Sequence, residues 1–276
     1  RDRLRSRGLG DVYKRQENSE SVFNGSGAGT SSEPVTDEKL ETILKQVQSQ
    51  LPAENGTWAV FISDLVNGTE GSLNDQKMQA ASLIKLYIMG AVYENYDQIT
   101  GQYGRDSVDS NLYSMITVSD NDAANTLTTY LGGGDSAAGM QAVNSFCQAH
   151  GYDQTHMGRM LLASNENDDN YTSVGDCGHL LQEIYKQDTS GYTHAADMFN
   201  LLKAQTRCNK IPAQLPEGVK TANKTGELDN VENDAGIIYD SKNDVVIVFM
   251  SQNLSSAGSA QNTIATLSRT IYDYYN

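Results

Sequence analysis

Four histidines, three cysteines and the lack of any long apolar run set the first limits on this 276-residue chain. His150, His156, His179 and His194 form neither H-E-x-x-H nor any other close ligand pair, so no metal site is expected. Nothing else in the sequence asks for a cofactor. Cys147, Cys177 and Cys208 contain no C-x-x-C pair and define no disulfide framework, although three thiols leave room for one bridge. No apolar stretch approaches the ~20 residues that a spanning helix needs, so no membrane span is expected. Basic residues are scarce too, 20 against 35 acidic ones for a net charge of -15. That balance argues against nucleic acid and anionic membrane surfaces as partners. No internal repeat is present.

The few basic residues are unevenly spread. Residues 1–16, RDRLRSRGLGDVYKRQ, hold six of the twenty. They carry no apolar h-region and no small-residue cleavage site, so they do not read as a signal peptide. They resemble translated sequencing-adapter read-through and are taken as a non-native leader. Residues 17–35, rich in Ser, Gly, Asn and Glu, cannot bury enough apolar surface to offset chain entropy and read as a flexible linker. One domain with a substantial core is expected over 36–276.

Within that domain, Thr36 opens a helix with Asp37 and Glu38 in its first turn and Leu40, Ile43, Leu44, Val47 and Leu51 at helical spacing. TWAVFISDL (57–65) reads as a strand, with NGTEG turning into a second. AASLIKLYIMGAVYEN follows, apolar on every side, and reads as a buried helix. The middle, from about residue 95 to 215, is largely helical in pattern. AGIIYD and DVVIVFMSQN flank SKN as a hairpin, and SAQNTIATLSRTIYDYY closes the chain as an amphipathic helix. The expected class is α/β of the α+β type. An antiparallel sheet is built from N- and C-terminal segments, flanked by terminal helices, with a helical subdomain inserted.

The buried helix poses a chemical question, because it carries Lys85, and an ammonium is costly to take out of water. Ser82 and Lys85 form S-x-x-K, which on a helix puts hydroxyl and amine on one face. A serine is a weak nucleophile without a base, and a lysine whose pKa is lowered by burial or a nearby cation can be that base. The alternative is that Ser82 caps the helix and Lys85 snorkels. A second triplet, Ser119-Asp120-Asn121, offers a proton relay at Ser119 and an amide-binding group at Asn121. Ser, Asp and Asn are also preferred N-caps, and Asp120 reads as one. A third, Lys224-Thr225-Gly226, sets a cation, a hydroxyl and open backbone along a strand, as suits a substrate lying on its edge. Otherwise it is a lysine beside a glycine turn.

S-x-x-K, S-D-N and K-T-G in this order are the signature of class A β-lactamases and penicillin-binding proteins. Over about residues 36–276 the chain resembles that superfamily. MITVSDNDAANTLTTYLGG looks like its S-D-N helix and KIPAQLPEGVKTANKTGE like the approach to its K-T-G strand, and the 105 residues from Ser119 to Lys224 are close to its usual gap. The resemblance implies that Ser82 is acylated, that Lys85 takes its proton and that Ser119 protonates the leaving nitrogen. It implies that Asn121 binds a substrate amide, and that the backbone N–H groups of Ser82 and Glu227 form an oxyanion hole. Lys224 and Thr225 would hold a substrate carboxylate beside Gly226, and Lys224 would keep Lys85 deprotonated. The substrate would be a small β-lactam or a cell-wall peptide, the protein an extracytoplasmic monomer, and the leading expectation ring-opening through acyl-Ser82. The alternatives are a D-alanyl-D-alanine peptidase and a slowly deacylating sensor.

Two departures stand out. Only 37 residues separate Ser82 from Ser119, fewer than the family has. THMGRMLLASNENDDNYTSVGD also lacks R-x-E-x-x-L-N, whose glutamate activates the deacylating water. Aligning on Arg159 puts Leu161 at the glutamate. Aligning on Glu166 and Asn170 leaves Glu166, Asp168 and Asp169 as candidate bases, in what otherwise reads as a solvated acidic loop. The strand after Gly226 lacks the arginine that often binds substrate carboxylate, with Asp234 nearest its place.

Overall fold

A computed structural model describes residues 36–187 and 191–276. The leader and linker expected over 1–35 lie outside the described residues. The first helix, α1 (Glu38–Gln50), starts one residue later than its composition suggests. Asp37 is its N-cap, and the side chain accepts from the Leu40 N–H. Strands β1 (Thr57–Asp64) and β2 (Thr69–Leu73) follow, then a short β3 (Met78–Gln79). A single 3-10 turn, Ala81–Leu83, leads into α2 (Ile84–Glu94). Helices α3 (Tyr96–Tyr103), α4 (Arg105–Thr117), α5 (Asn121–Leu131) and α6 (Ser136–Ala149) make the inserted subdomain. A long loop reaches β4 (Tyr171–Thr172), which pairs with β3, before α7 (Val174–Lys186) and α8 (Ala195–Lys203). Strands β5 (Lys220–Leu228), β6 (Val231–Tyr239) and β7 (Val245–Gln252) and helix α9 (Ala257–Tyr275) complete the chain.

The main sheet is antiparallel in the order β2-β1-β7-β6-β5, so segments from both ends of the sequence build it. Period-two alternation decides what each face meets. On β7, Val245, Ile247 and Phe249 pack with Leu40, Ile43 and Val47 of α1 and Ile264, Leu267 and Ile271 of α9. Val246, Val248 and Met250 point the other way, into a core with α2, α5 and α7. Both faces are therefore covered, which explains why VVIVFM is a continuous apolar run in an antiparallel strand. Helix α2 is the centre of the second core: Ile84 to Tyr93 are all buried, as its uniformly apolar sequence requires. Close contact is bought with glycine at Gly90, where a Cβ would come within 2.4 Å of the Phe146 ring. No described helix is long and apolar enough to cross a membrane. Cys147, Cys177 and Cys208 are all free thiols.

Candidate active site

Ser82 lies in the 3-10 turn and Lys85 in the first turn of α2, so the motif straddles two helix types rather than one. The turn is locked from outside. Asn233 of β6 donates to the carbonyls of Gln79 and Ala80, both at 3.0 Å. Edge strand β5 presses against the same turn. A Cβ on Gly226 would sit 2.8 Å from the Ala80 carbonyl and 3.1 Å from the Ser82 nitrogen, so only glycine fits there. Ala81 and Ser119 both hold left-handed φ, +48° and +58°, which costs a non-glycine residue about 1–3 kcal/mol and concentrates at functional sites.

Lys85 Nζ is the hub. It lies 3.0 Å from Ser82 Oγ, 3.0 Å from Ser119 Oγ, 2.6 Å from the Ser119 carbonyl and 2.7 Å from Asn121 Oδ1. Burial, then the nearby positive charge of Arg207, pull its pKa down to about 7, against a smaller opposing pull from Asp120. A neutral amine has two hydrogens and one lone pair. The carbonyl and amide oxygens at the two shortest distances can only accept, so they take both hydrogens and leave the lone pair for a serine hydroxyl. Arg207 adds a cation beside Lys85 that the sequence did not announce, and the two buried amines, Lys85 and Lys224, also repel one another.

Lys224 is 1% exposed and its Nζ lies 2.9 Å from Ser119 Oγ and 2.7 Å from the Thr225 carbonyl. Burial, with Lys85, Lys210 and Arg207 nearby, holds its pKa well below the ordinary lysine value. Ser119 Oγ is thus flanked by two amines. Asp120 caps α5 by accepting from the Ala123 N–H at 2.8 Å, the structural role read from its sequence. Ser82, Ser119, Asn121, Thr225, Gly226 and Glu227 line one cavity of about 190 Å³ together with Arg207. The eight residues singled out by sequence therefore converge, six on the cavity wall and Lys85 and Lys224 just behind it.

The long loop before β4 is built around Arg159 and Asp169, an ion pair of 2.7 Å whose side chains are only 10% and 6% exposed. Asn170 Oδ1 accepts from the backbone N–H of Gly158 and Arg159. Asn125 then clamps residue 161 by its backbone: Nδ2 donates to the Leu161 carbonyl and Oδ1 accepts from its N–H, at 3.0 and 2.9 Å. Asn125 is one helical turn beyond Asn121 on the same face of α5. The three acidic candidates fare differently. Asp169 is committed to Arg159, with Gln79 at 3.1 Å, and Asp168 to His156 at 2.6 Å. Glu166 is exposed on the loop and absent from the cavity wall. Asp234 is fully buried, accepting from the Ile211 N–H and Asn223, and does not reach the cavity. No group of residues fit to hold a metal ion occurs among the described residues.

Sequence reasoning missed two residues. Asn125 carried a weak signal, its i+4 spacing from Asn121. Arg207 carried none, since the loop between α8 and β5 reaches the site only through tertiary contacts. Thr206 donates to the Thr117 carbonyl at 2.9 Å and Arg207 Nη2 to the Val118 carbonyl at 3.1 Å.

A family model described as "Beta-lactamase enzyme family" matches residues 39–106 and 102–275. Among solved structures, PBP-A is similar at 22% identity and TM-score 0.75, over 87% of this chain and 98% of that one. A PBP-A mutant solved as its acyl-enzyme complex with penicillin G is similar at 23% identity and TM-score 0.73, over 85% and 96%. A β-lactamase from Sphaerobacter thermophilus is similar at 21% identity and TM-score 0.70, over 84% and 96%. These likenesses show the fold. A comparison with curated proteins gave no match.

Proposed function

The chain belongs to the β-lactamase enzyme family, and on that premise we propose that it is an acyl-serine enzyme whose nucleophile is Ser82. Its substrates in this reading are β-lactams and cell-wall peptides ending in D-alanyl-D-alanine, met outside the cytoplasm. The observation that carries the reading is the position of Lys85 Nζ, 3.0 Å from both serine hydroxyls in a site that favours its neutral form. Ser82 Oγ attacks the carbonyl carbon as its proton passes to Lys85, a general-base step worth roughly 10²–10⁴ in rate. The backbone N–H groups of Ser82 and Glu227 receive the oxyanion, each donor contributing about 3–4 kcal/mol. Collapse breaks the C–N bond, and Ser119 gives its proton to the leaving nitrogen. Lys85 and Lys224, at 3.0 and 2.9 Å, can reload it. Asn121 binds an amide on the acyl side.

Deacylation is the slow step. Hydrolysis of the ester needs a base for the water, and the residue that the alignment on Arg159 puts at the family's glutamate is Leu161, held by its backbone to Asn125 and without a base to offer. This favours a penicillin-binding peptidase, with a persistent β-lactam adduct, over a rapid β-lactamase. Intact-protein mass against time in excess benzylpenicillin tests both halves. The expected result is a single adduct, lost in Ser82→Ala, that outlasts the free drug. Clearance of the adduct in step with drug consumption makes the protein a β-lactamase. Labelling that survives in Ser82→Ala overturns the whole assignment.

A further inference from the structure

The end of edge strand β5 carries three charges that no step of the acyl-serine reading uses. Glu227 lies directly opposite Glu232 in the β5–β6 register. That pairing puts two carboxylate side chains on one face of the sheet, with Cβ atoms about 5 Å apart, where like charges repel. Lys210 resolves the conflict. Its Nζ lies 2.9 Å from Glu227 Oε1 and 2.9 Å from Glu232 Oε2, so one ammonium bridges the pair.

The three groups are held with unequal firmness. Lys210 is 0% exposed and Glu232 3%. Glu232 is also fastened from two other elements: Gln261 of α9 donates to its Oε1 at 2.9 Å, and Ser251 of β7 donates to its carbonyl at 2.6 Å. The residue after Lys210 is pinned as well, the Ile211 N–H donating to Asp234 of β6 at 2.9 Å. Glu227 has less to hold it. It stands one residue before the end of the outermost strand, on the cavity wall, with its side chain 35% exposed. Burial works to raise its pKa, but Lys210, then Arg207 and Asn209, hold it below the ordinary glutamate value. The bridge thus runs from a fixed interior to the rim of the site.

We propose that Lys210 is a positioning residue for the oxyanion hole: by bridging Glu227 to the fixed Glu232, it holds the end of β5, and with it the Glu227 N–H, in register with the Ser82 N–H. The inference rests on the acyl-serine reading of Ser82, in which those two N–H groups receive the oxyanion. A misplacement of about 1 Å at such a site can cost roughly a hundredfold in rate. The Ser82 donor is set by the packing of Gly226 against its turn. The Glu227 donor is the next residue along the same strand, and the Lys210 bridge is what sets it.

The competing explanation is that Lys210 only neutralises Glu232 in the interior, as a structural ion pair. Three variants separate the two, each checked for folding by a thermal melt. Glu227→Ala cuts the tether and leaves the buried pair of Lys210 and Glu232 intact. Glu227→Gln loses the same charge but keeps an oxygen for Lys210. Lys210→Met combined with Glu232→Gln removes the bridge without leaving a buried charge unpaired. The measurements are the second-order rate of Ser82 acylation by benzylpenicillin, followed by intact mass, and the infrared carbonyl stretch of the acyl-enzyme made with drug isotope-labelled at its lactam carbonyl. Hydrogen bonds from the oxyanion hole lower that frequency. In Glu227→Ala and in the double variant, acylation is expected to slow roughly tenfold or more and the band to move to higher frequency, while Glu227→Gln stays near wild type in both. A wild-type rate and band in folded Glu227→Ala overturn the proposal and leave only a structural ion pair. So does a Glu227→Gln protein as slow as Glu227→Ala, which makes the lost charge the cause. Failure of benzylpenicillin to label wild type overturns the acyl-serine reading instead.

Discussion

Replacing Leu161 by glutamate tests the proposed lack of a deacylation base. Both hydrogen bonds from Asn125 go to the backbone of residue 161, so the clamp survives any side chain there. Aligning on Arg159 puts residue 161 where the family has its water-activating glutamate, and on that reading a carboxylate there would hold and deprotonate a water. General-base assistance is typically worth 10²–10⁴, so the benzylpenicillin adduct should clear roughly a hundredfold faster or more. The substitution has a cost. Leu161 is 8% exposed, and losing its burial removes about 2 kcal/mol, before the desolvation of the new carboxylate. For a domain of this size that lowers Tm by about 4–8 °C. Intact mass after removal of free drug gives the adduct half-life, and a thermal melt reports folding. Glu166→Gln, which alters an exposed loop carboxylate, should leave the half-life as it is. A folded Leu161→Glu protein with an unchanged half-life refutes the reasoning, because residue 161 would then not face the acyl-ester water.

Acylation by benzylpenicillin should rise with pH through about 7, where Lys85 loses its proton, and level off above it; a rate flat between pH 5.5 and 8.5 removes Lys85 as base. The same group acts on stability. Its folded pKa is below the unfolded 10.5, so the unfolded chain binds the extra proton between those values, and the contribution of Lys85 to stability increases with pH across that window. Denaturant titrations at pH 7 and 9 on wild type and Lys85→Met check the sign. Asp169→Asn leaves the Arg159 guanidinium largely buried without its counter-charge, at about 3 kcal/mol, measurable as a lower denaturation midpoint. Gly226→Ala forces a methyl against the Ala80 carbonyl and the Ser82 nitrogen, and should slow acylation at least tenfold while the chain stays folded; an unchanged rate means β5 yields there at no cost.

How much of this could be read from the sequence depended on how local the cause was. The continuous apolar run VVIVFM and the amphipathic spacing of α1 and α9 are local patterns, and they gave a buried strand and the helices that cover the sheet. Strands at both ends of the chain implied one shared antiparallel sheet, while its order, β2-β1-β7-β6-β5, is seen only in the structure. S-x-x-K could be placed by helix geometry, although the serine sits in a 3-10 turn and not in the helix proper. The buried amine announced itself as a lysine among apolar residues. What remained hidden were contacts between segments distant in sequence. Asn125 reaches Leu161 across 36 residues and Arg207 reaches Val118 across 89, and neither partner is marked by a motif. The acidic run NENDDN is a further case. Its charge is obvious in the sequence, whereas the pairing of Asp168 with His156 and Asp169 with Arg159 is not.

Arg207 and Leu161 bear on one another. The exposed guanidinium of Arg207 on the cavity wall lowers the pKa of Lys85, so in the acyl-serine reading this charge favours the attack. No carboxylate on that wall is free to act on water, since Glu227 is tied to Lys210. In the acyl-serine reading the electrostatics of this wall thus favour acylation and offer deacylation no carboxylate. For a peptide substrate this imbalance is useful, because an acyl-enzyme that excludes activated water survives until an amine or another acceptor reaches it. For a β-lactam, whose leaving group stays tethered to the acyl chain, the same imbalance makes the adduct last.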